Sequence, residues 1–179
     1  KRKVEHLKVC LEKDTQARSV ETGFGELHFV HRCLLNAALD EVDVSTRFLG
    51  KEFGAPLIIS AMTGGADETA SVNGTIATVV EEFQIGMCVG SQRAGIEDPS
   101  LEHTYRIARE RAPSAFLSAN LGIAELLRYE PEKIASAVEM IEADALTIHL
   151  NPLQEHLQPE GTHIGSGSEE KIGDCARYL

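Results

Sequence analysis

The chain has 179 residues and a formal net charge of −11, with 42% hydrophobic and 25% charged residues. That length makes one domain the starting expectation, and the composition is that of a folded globular protein rather than a disordered one. The acidic balance argues against a general nucleic-acid binder, because phosphate backbones are held mainly by Lys and Arg.

The opening segment "KRKVEHLKVC" is basic but has no apolar stretch behind it, so it does not read as a signal peptide. No apolar run approaches the roughly 18 residues that a membrane span requires, and no membrane association is expected. Cys10, Cys33, Cys88 and Cys175 form no CxxC pair and no Cys/His cluster at zinc spacing. Reduced thiols in a cytoplasmic protein are the expectation.

In chain order, residues 2–13 read as a helix, "ELHFV" at 26–30 as a strand, and "TRFLGKEF" at 46–53 as a short further segment. Four apolar runs follow: "PLIISA" (56–61), "GMCVG" (86–90), "AFLSAN" (115–120) and "ALTIHL" (145–150). Their starts lie about 30 residues apart, the length of one strand–helix unit. The segments between them carry helical spacing. Residues 67–83 place Asn73, Ile76, Ala77, Val80 and Phe83 on one face; 99–112 do so with Leu101, Tyr105, Ala108 and Ala112; 131–142 with Ile134, Val138 and Ile141. Asp98-Pro99 supplies an N-cap followed by proline at the first helical position, and Pro131 can open its helix in the same way. The pattern is β-α-β-α-β-α-β with near-continuous apolar strands, which predicts a parallel sheet covered by helices. After Gly161 the sequence "THIGSGSEEKIGDCARYL" is rich in Gly and Ser and then polar, so 162–179 is expected to be a divergent, flexible tail.

Each apolar run ends in polar or small residues. The first leads into Ala61, Met62, Thr63, Gly64 and Gly65; the second into Ser91, Gln92 and Arg93; the third into Asn120; the fourth into His149, Asn151, Gln154 and Glu155. In parallel α/β folds the C-terminal strand ends share one rim, where ligands bind. Singly, each has a plain structural reading: a βα turn at Thr63, a surface ion pair at Arg93, a core histidine at His149, a satisfied amide at Asn120. Together they suit an anionic or heterocyclic ligand. Backbone near Gly64 and Gly65 permits close approach. Asn120 both donates and accepts. Arg93 offers a planar fork to phosphate oxygens, and Glu155 a hard oxygen for Mg²⁺, which takes few carboxylates plus substrate phosphates. Arg2, Lys3 and His6 add three potential cations at the N-terminus.

The segments "RKVEHLKVCLEKD", "TGFGELHFVHRCL", "STRFLGKEFGAPLIISAMTGG", "GSQRAG", "SANLG" and "HLNPLQEHLQPEG" together resemble type 2 isopentenyl-diphosphate delta-isomerase, over residues 1 to 161. The resemblance implies a (β/α)8 TIM barrel, of which this chain would supply about four βα units plus an N-terminal extension. It implies FMN, Mg²⁺, NADPH as reductant and homo-oligomers. It also implies interconversion of isopentenyl and dimethylallyl diphosphate on reduced flavin. By motif, Ala61, Met62, Thr63, Ser91 and Asn120 would line the flavin. Arg2, Lys3, His6, Ser91, Gln92, Arg93, His149 and Asn151 would hold the diphosphate. Gln154, with His149, would face the reacting carbons, and Glu155 would bind the metal. The family's second half, with its strand lysine and glycine-rich flavin-phosphate loop, is not found in this sequence. Four strands cannot close an eight-stranded barrel, so exposed apolar surface and doubtful turnover by the chain alone are expected. Two other readings are a different FMN barrel, such as a 2-hydroxy-acid oxidase, and a non-catalytic remnant serving as an assembly module.

Overall fold

The computed structural model describes all residues except 1, 35, 159, 160 and 163–165, and omits the side chains of Arg2, Lys3 and His6. The three N-terminal cations singled out in the sequence therefore lie outside the described residues as far as their side chains are concerned. Helix α1 spans Arg2–Glu12, close to the range expected for it. "TRFLGKEF" is an antiparallel hairpin, β1 (Thr46–Phe48) and β2 (Lys51–Phe53). The strand expected at 26–30 does not form. Phe24–Glu26 is a single 3-10 turn, and Phe29 and Val30 are 100% and 87% exposed. Apolar content alone does not make a strand; its backbone needs a sheet partner, and none of the described strands pairs there.

The predicted β-α repeat is realised. Strands β3 (Ile58–Ile59), β4 (Gly86–Cys88), β5 (Phe116–Gly122) and β6 (Ala145–His149) form one parallel sheet in the order β3-β4-β5-β6. Helix α2 is Asp67–Phe83. The segment 93–111 holds α3 (Arg93–Glu97) and α4 (His103–Arg111). Beyond β5 come α5 (Ile123–Arg128) and α6 (Pro131–Met140). The boundary signals hold: Ser100 N–H donates to the Asp98 side chain, with Pro99 between them, and Pro131 opens α6.

One sheet face packs under the helices. Met87, Val89, Leu117, Ala119 and Leu121 alternate along β4, β5 and their extensions and meet Ala77 and Val80 of α2, Tyr105 and Ala108 of α4, and Ile134 and Ala137 of α6. Leu117 and Leu121 are fully buried, each stabilising the fold by roughly 1.5–3 kcal/mol relative to exposure. The other face is different. Near its N-terminal end Phe116 sits among Phe48 and Phe53, ring centroids 5.6 and 5.4 Å away. Towards the C-terminal end it turns polar. Ser118 Oγ and Thr147 Oγ1 lie 2.7 Å apart, and Asn120 Nδ2 donates to Cys88 Sγ at 3.6 Å. Strands β3 and β6 are the sheet's edges among the described residues, and Leu57, Ile58 and Leu150 there are 59%, 45% and 68% exposed.

After β6 the chain forms α7 (Pro152–Leu157), then α8 (Ser168–Tyr178). The flexible tail expected beyond Gly161 is thus helical over 168–178 and packs on α5 and α6. Cys175 rests against the core, with Ile172 three residues before it. Acidic Glu169 and Glu170 in the first turn and Arg177 in the last suit the helix dipole. The cysteines at 10, 33, 88 and 175 are unpaired. No described helix is long and apolar enough to cross a membrane.

The strand-start side of the sheet is tied by polar staples. Arg109 donates to the carbonyls of Ala112, Ala115, Ile141 and Glu142. The Glu81 carboxylate accepts from Ser114 N–H, Ser114 Oγ–H and Ala115 N–H just before β5. Partial burial pushes the Glu81 pKa up, but the hydrogen bonds from Ser114 and Ala115 outweigh it and hold it below the ordinary 4.5. A carboxylate depressed in the folded state adds stability above its unfolded pKa and loses it as pH falls through the folded one. Glu81→Gln is therefore expected to destabilise the protein at about pH 7 and to converge on wild type in acid, as the pH falls through the depressed Glu81 pKa below the ordinary 4.5. Urea unfolding of both proteins across this range checks it; a gap that persists in acid sinks it.

Candidate functional site

Parallel pairing puts the C-terminal ends of β3 to β6 on one rim. A cavity of about 460 Å³ opens there, lined by Ala61, Met62, Gly65, Gly90, Ser91, Arg93, Ala94, Asn120, Glu125, His149, Asn151, Gln154 and Glu155. That volume falls in the range of small-molecule and cofactor sites, roughly 300–1,000 Å³. All four strand-end clusters contribute. Thr63 and Gln92 stand behind the wall rather than on it.

The β3 end is shaped by backbone approach. Gly64 has φ +145°, and a Cβ on it would lie 2.1 Å from the Tyr105 ring. The turn is held by Gly65 N–H donating to Thr104 Oγ1 at 2.9 Å, and by Asn73 Nδ2 donating to Thr63 O at 3.4 Å and Thr104 O at 2.8 Å. Gly90 N–H donates to Thr63 O at 2.8 Å. Tyr105 Oη donates to Ser91 O at 2.7 Å, and burial raises that phenol's pKa well above its usual value, so it remains a donor. Thr63 Oγ1 is buried with no hydrogen-bond partner among the described residues.

The β4 and β5 ends are joined by Gln92. It is fully buried; its backbone N–H donates to Asn120 O, its Oε1 accepts from Asn120 N–H, and its Nε2 donates to Ala137 O at 2.7 Å. This side chain is a strut that fixes Asn120. The Asn120 amide then donates from Nδ2 to Cys88 Sγ, and its Oδ1 lies 2.9 Å from His149 Nδ1. With Oδ1 as acceptor, His149 Nδ1–H is the donor, which leaves Nε2 turned to the other side.

Arg93 opens α3 at the rim. Its Nη1 donates to Glu125 Oε1 at 3.1 Å, and its Nε lies 3.8 Å from Glu97 Oε2. Burial pulls the guanidinium pKa down, but the hydrogen bond and charge of Glu125, followed by Glu97, raise it above its ordinary value, so Arg93 stays cationic. Tyr129 donates to Glu97 Oε1 at 3.1 Å; burial and then that bond push its phenol up to about 12. Glu125 was not singled out in the sequence. Its signal was available: it lies five residues past Asn120, in the turn that leaves the third apolar run.

Past β6, Asn151 precedes α7 and Glu155 sits within it, 6% exposed. Glu155 Oε1 accepts from Asn151 Nδ2 at 3.0 Å and Oε2 from Thr162 N–H at 2.8 Å. Gln154 is exposed at the cavity. Among the described residues no group of three or more His, Cys, Asp or Glu side chains could hold a metal ion. One carboxylate, Glu155, on a wall shared with Arg93 and His149 is compatible with Mg²⁺ completed by ligand phosphates. For a flavin, the Cβ-free walls at Gly65 and Gly90 and the half-exposed Met62 form a cradle of the right chemistry, with the unsatisfied Thr63 hydroxyl buried just behind it.

No protein-family model matches this chain. Curated proteins named isopentenyl-diphosphate delta-isomerase are similar to it. That of Methanosarcina barkeri is 44% identical over 179 residues, 100% of this chain and 49% of the relative. That of Archaeoglobus fulgidus is 46% identical over 179 residues, 100% of this chain and 51% of the relative. That of Ignicoccus hospitalis is 51% identical over 177 residues, 97% of this chain and 48% of the relative. The chain spans about half the length of the curated relatives it matches. Where the similarity takes in the whole chain, residues 162–179 fall inside it.

Proposed function

We propose, from the premise that this chain is a homologue of the isopentenyl-diphosphate delta-isomerases over its whole length, that it is the N-terminal half of a type 2, FMN-dependent enzyme. On this reading the four-stranded sheet is half of a (β/α)8 barrel. Its polar face is the barrel interior, and the exposed edges at β3 and β6 are the seams where further strands pair. The reaction is the interconversion of isopentenyl and dimethylallyl diphosphate.

Arg93, Ser91, His149 and Asn151 hold the diphosphate, with Arg2, Lys3 and His6 assigned there by the motif. Ala61, Met62, Thr63, Ser91 and Asn120 hold FMN. Glu155 takes Mg²⁺, which screens the diphosphate charge. Gln154 and His149 face the reacting carbons; Gln154 is neutral and orients the substrate rather than acting as a strong base. When bound and reduced, with NADPH as the electron source, FMN supplies the ring through which the allylic proton is moved. Homo-oligomerisation in the cytoplasm belongs to the same reading.

The observation that supports the reading is the convergence of Met62, Ser91, Arg93, Asn120, His149, Asn151, Gln154 and Glu155 on one cavity. The test is turnover of isopentenyl diphosphate with FMN, reductant and Mg²⁺, by the chain alone and with a separately supplied C-terminal half of a relative. Product only in the mixture is the expected result. No flavin binding and no product in the mixture overturns it. The open sheet edges favour a second reading, an assembly module without chemistry, and product formation by the mixture defeats that one. Reduction of bound flavin by a 2-hydroxy acid would instead support the oxidase.

A further inference from the structure

We infer that Glu125 is a positioning residue, which clamps the Arg93 guanidinium at the cavity wall so that its remaining edge meets the anionic part of the ligand. The inference rests on the function proposed above. A carboxylate on the wall of a cavity that takes a diphosphate needs a reason. It repels the ligand, and burying it is costly unless it is paired. Glu125 is 5% exposed, lines the cavity, and accepts from Arg93 Nη1 at 3.1 Å. Arg93 is also approached by Glu97 from the Nε side, at 3.8 Å. Its Nη2 makes no hydrogen bond among the described residues, so one edge of the fork is held and the other is left over.

The second observation is the packing of Gly122. A Cβ there would lie 2.4 Å from Glu125 Oε2 and 2.9 Å from His149 Nε2. Both atoms use the space a side chain would fill. Glu125 therefore presents one oxygen to Arg93, while its other oxygen and His149 Nε2 border the same space over Gly122, the opposite imidazole nitrogen being fixed by Asn120. Arg93 is thus registered on a buried carboxylate through hydrogen-bond geometry rather than through added positive charge.

That distinction sets the sign of the test. Calorimetry with inorganic pyrophosphate is run on the protein and on Glu125→Ala and Glu125→Gln, with circular dichroism as the check of folding. Removing a negative charge from an anion site should by Coulomb's law tighten binding. If Glu125 positions Arg93, Glu125→Ala instead weakens pyrophosphate by about tenfold, on the order of one lost charge-assisted hydrogen bond. Glu125→Gln keeps the volume and an acceptor in place and restores binding to within about threefold of wild type. The inference is overturned if the folded alanine variant binds as tightly as wild type or more tightly. It is also overturned if the glutamine variant is as weak as alanine, since charge rather than geometry would then be the cause. Should the alanine variant fail to fold, the glutamine variant decides, because loss of binding in it overturns the inference in the same way. Failure of the wild-type protein to bind pyrophosphate, both alone and mixed with the C-terminal half of a relative, overturns the proposed diphosphate site and this inference together, whereas wild-type binding with an indifferent alanine variant overturns the inference alone.

Discussion

Gly90→Ala is expected to lower the free energy of unfolding by about 3 kcal/mol, at the upper end of what overpacking costs. A Cβ on Gly90 would lie 2.4 Å from Thr63 O, 2.6 Å from Thr63 C and 2.7 Å from Thr63 N. All three are backbone atoms, so no rotamer change relieves the clash. The β3 and β4 ends must separate, and the 2.8 Å bond from Gly90 N–H to Thr63 O goes with them. Because Thr63 leads into the turn packed on Tyr105, the rim is deformed as well as destabilised. For a chain of this size the loss corresponds to a midpoint shift of about 6–12 °C. Thermal and guanidinium unfolding check it. A shift under about 2 °C would show that the rim tolerates the methyl group.

Arg93→Ala is expected to weaken inorganic pyrophosphate binding by about 100-fold, which is roughly 2.7 kcal/mol. Two effects add. The cavity loses its fork of charged donors, and Glu125, 5% exposed, is left without its cation on the same wall. The double variant Arg93→Ala with Glu125→Ala should therefore bind better than Arg93→Ala alone, a coupling expected of residues in direct contact. Calorimetry at two salt concentrations reads both effects. Binding within about threefold of wild type in Arg93→Ala would remove Arg93 from the anion site.

The helical segments were legible because each has one face to bury. In α2 the period of Asn73, Ala77 and Val80 is the period of its buried stripe. Tyr105, Ala108, Ile134 and Ile141 were legible in the same way, and all are buried. Phe83 was placed on a core face and is 61% exposed, although Val80 one turn before it is fully buried; it is the last residue of α2, where the buried stripe has ended. The strand expected at 26–30 failed for want of a partner, a requirement no local window can express. Helix α8 was missed because Gly165, Ser166, Gly167 and Ser168 dominate the composition of its approach, while Cys175 is its one hydrophobic side chain packed against the core cluster among the described residues. Within the site, residue types at strand ends named most of the cavity wall. They did not separate Gln92, turned inward to Asn120 and Ala137, from its neighbours Ser91 and Arg93, which face the cavity. Nor did they find Glu125.

By itself the sequence determined the order of strands and helices, the parallel sheet, and the rim on which polar groups gather. Those properties follow from periodicity and chain direction, which are written locally. Only the tertiary structure decided which polar groups face the cavity and which brace it, and that a buried carboxylate stands against the arginine. Such assignments depend on where neighbouring strands and helices place their donors and acceptors, and hydrogen bonds between residues about 30 positions apart leave no local mark in the sequence.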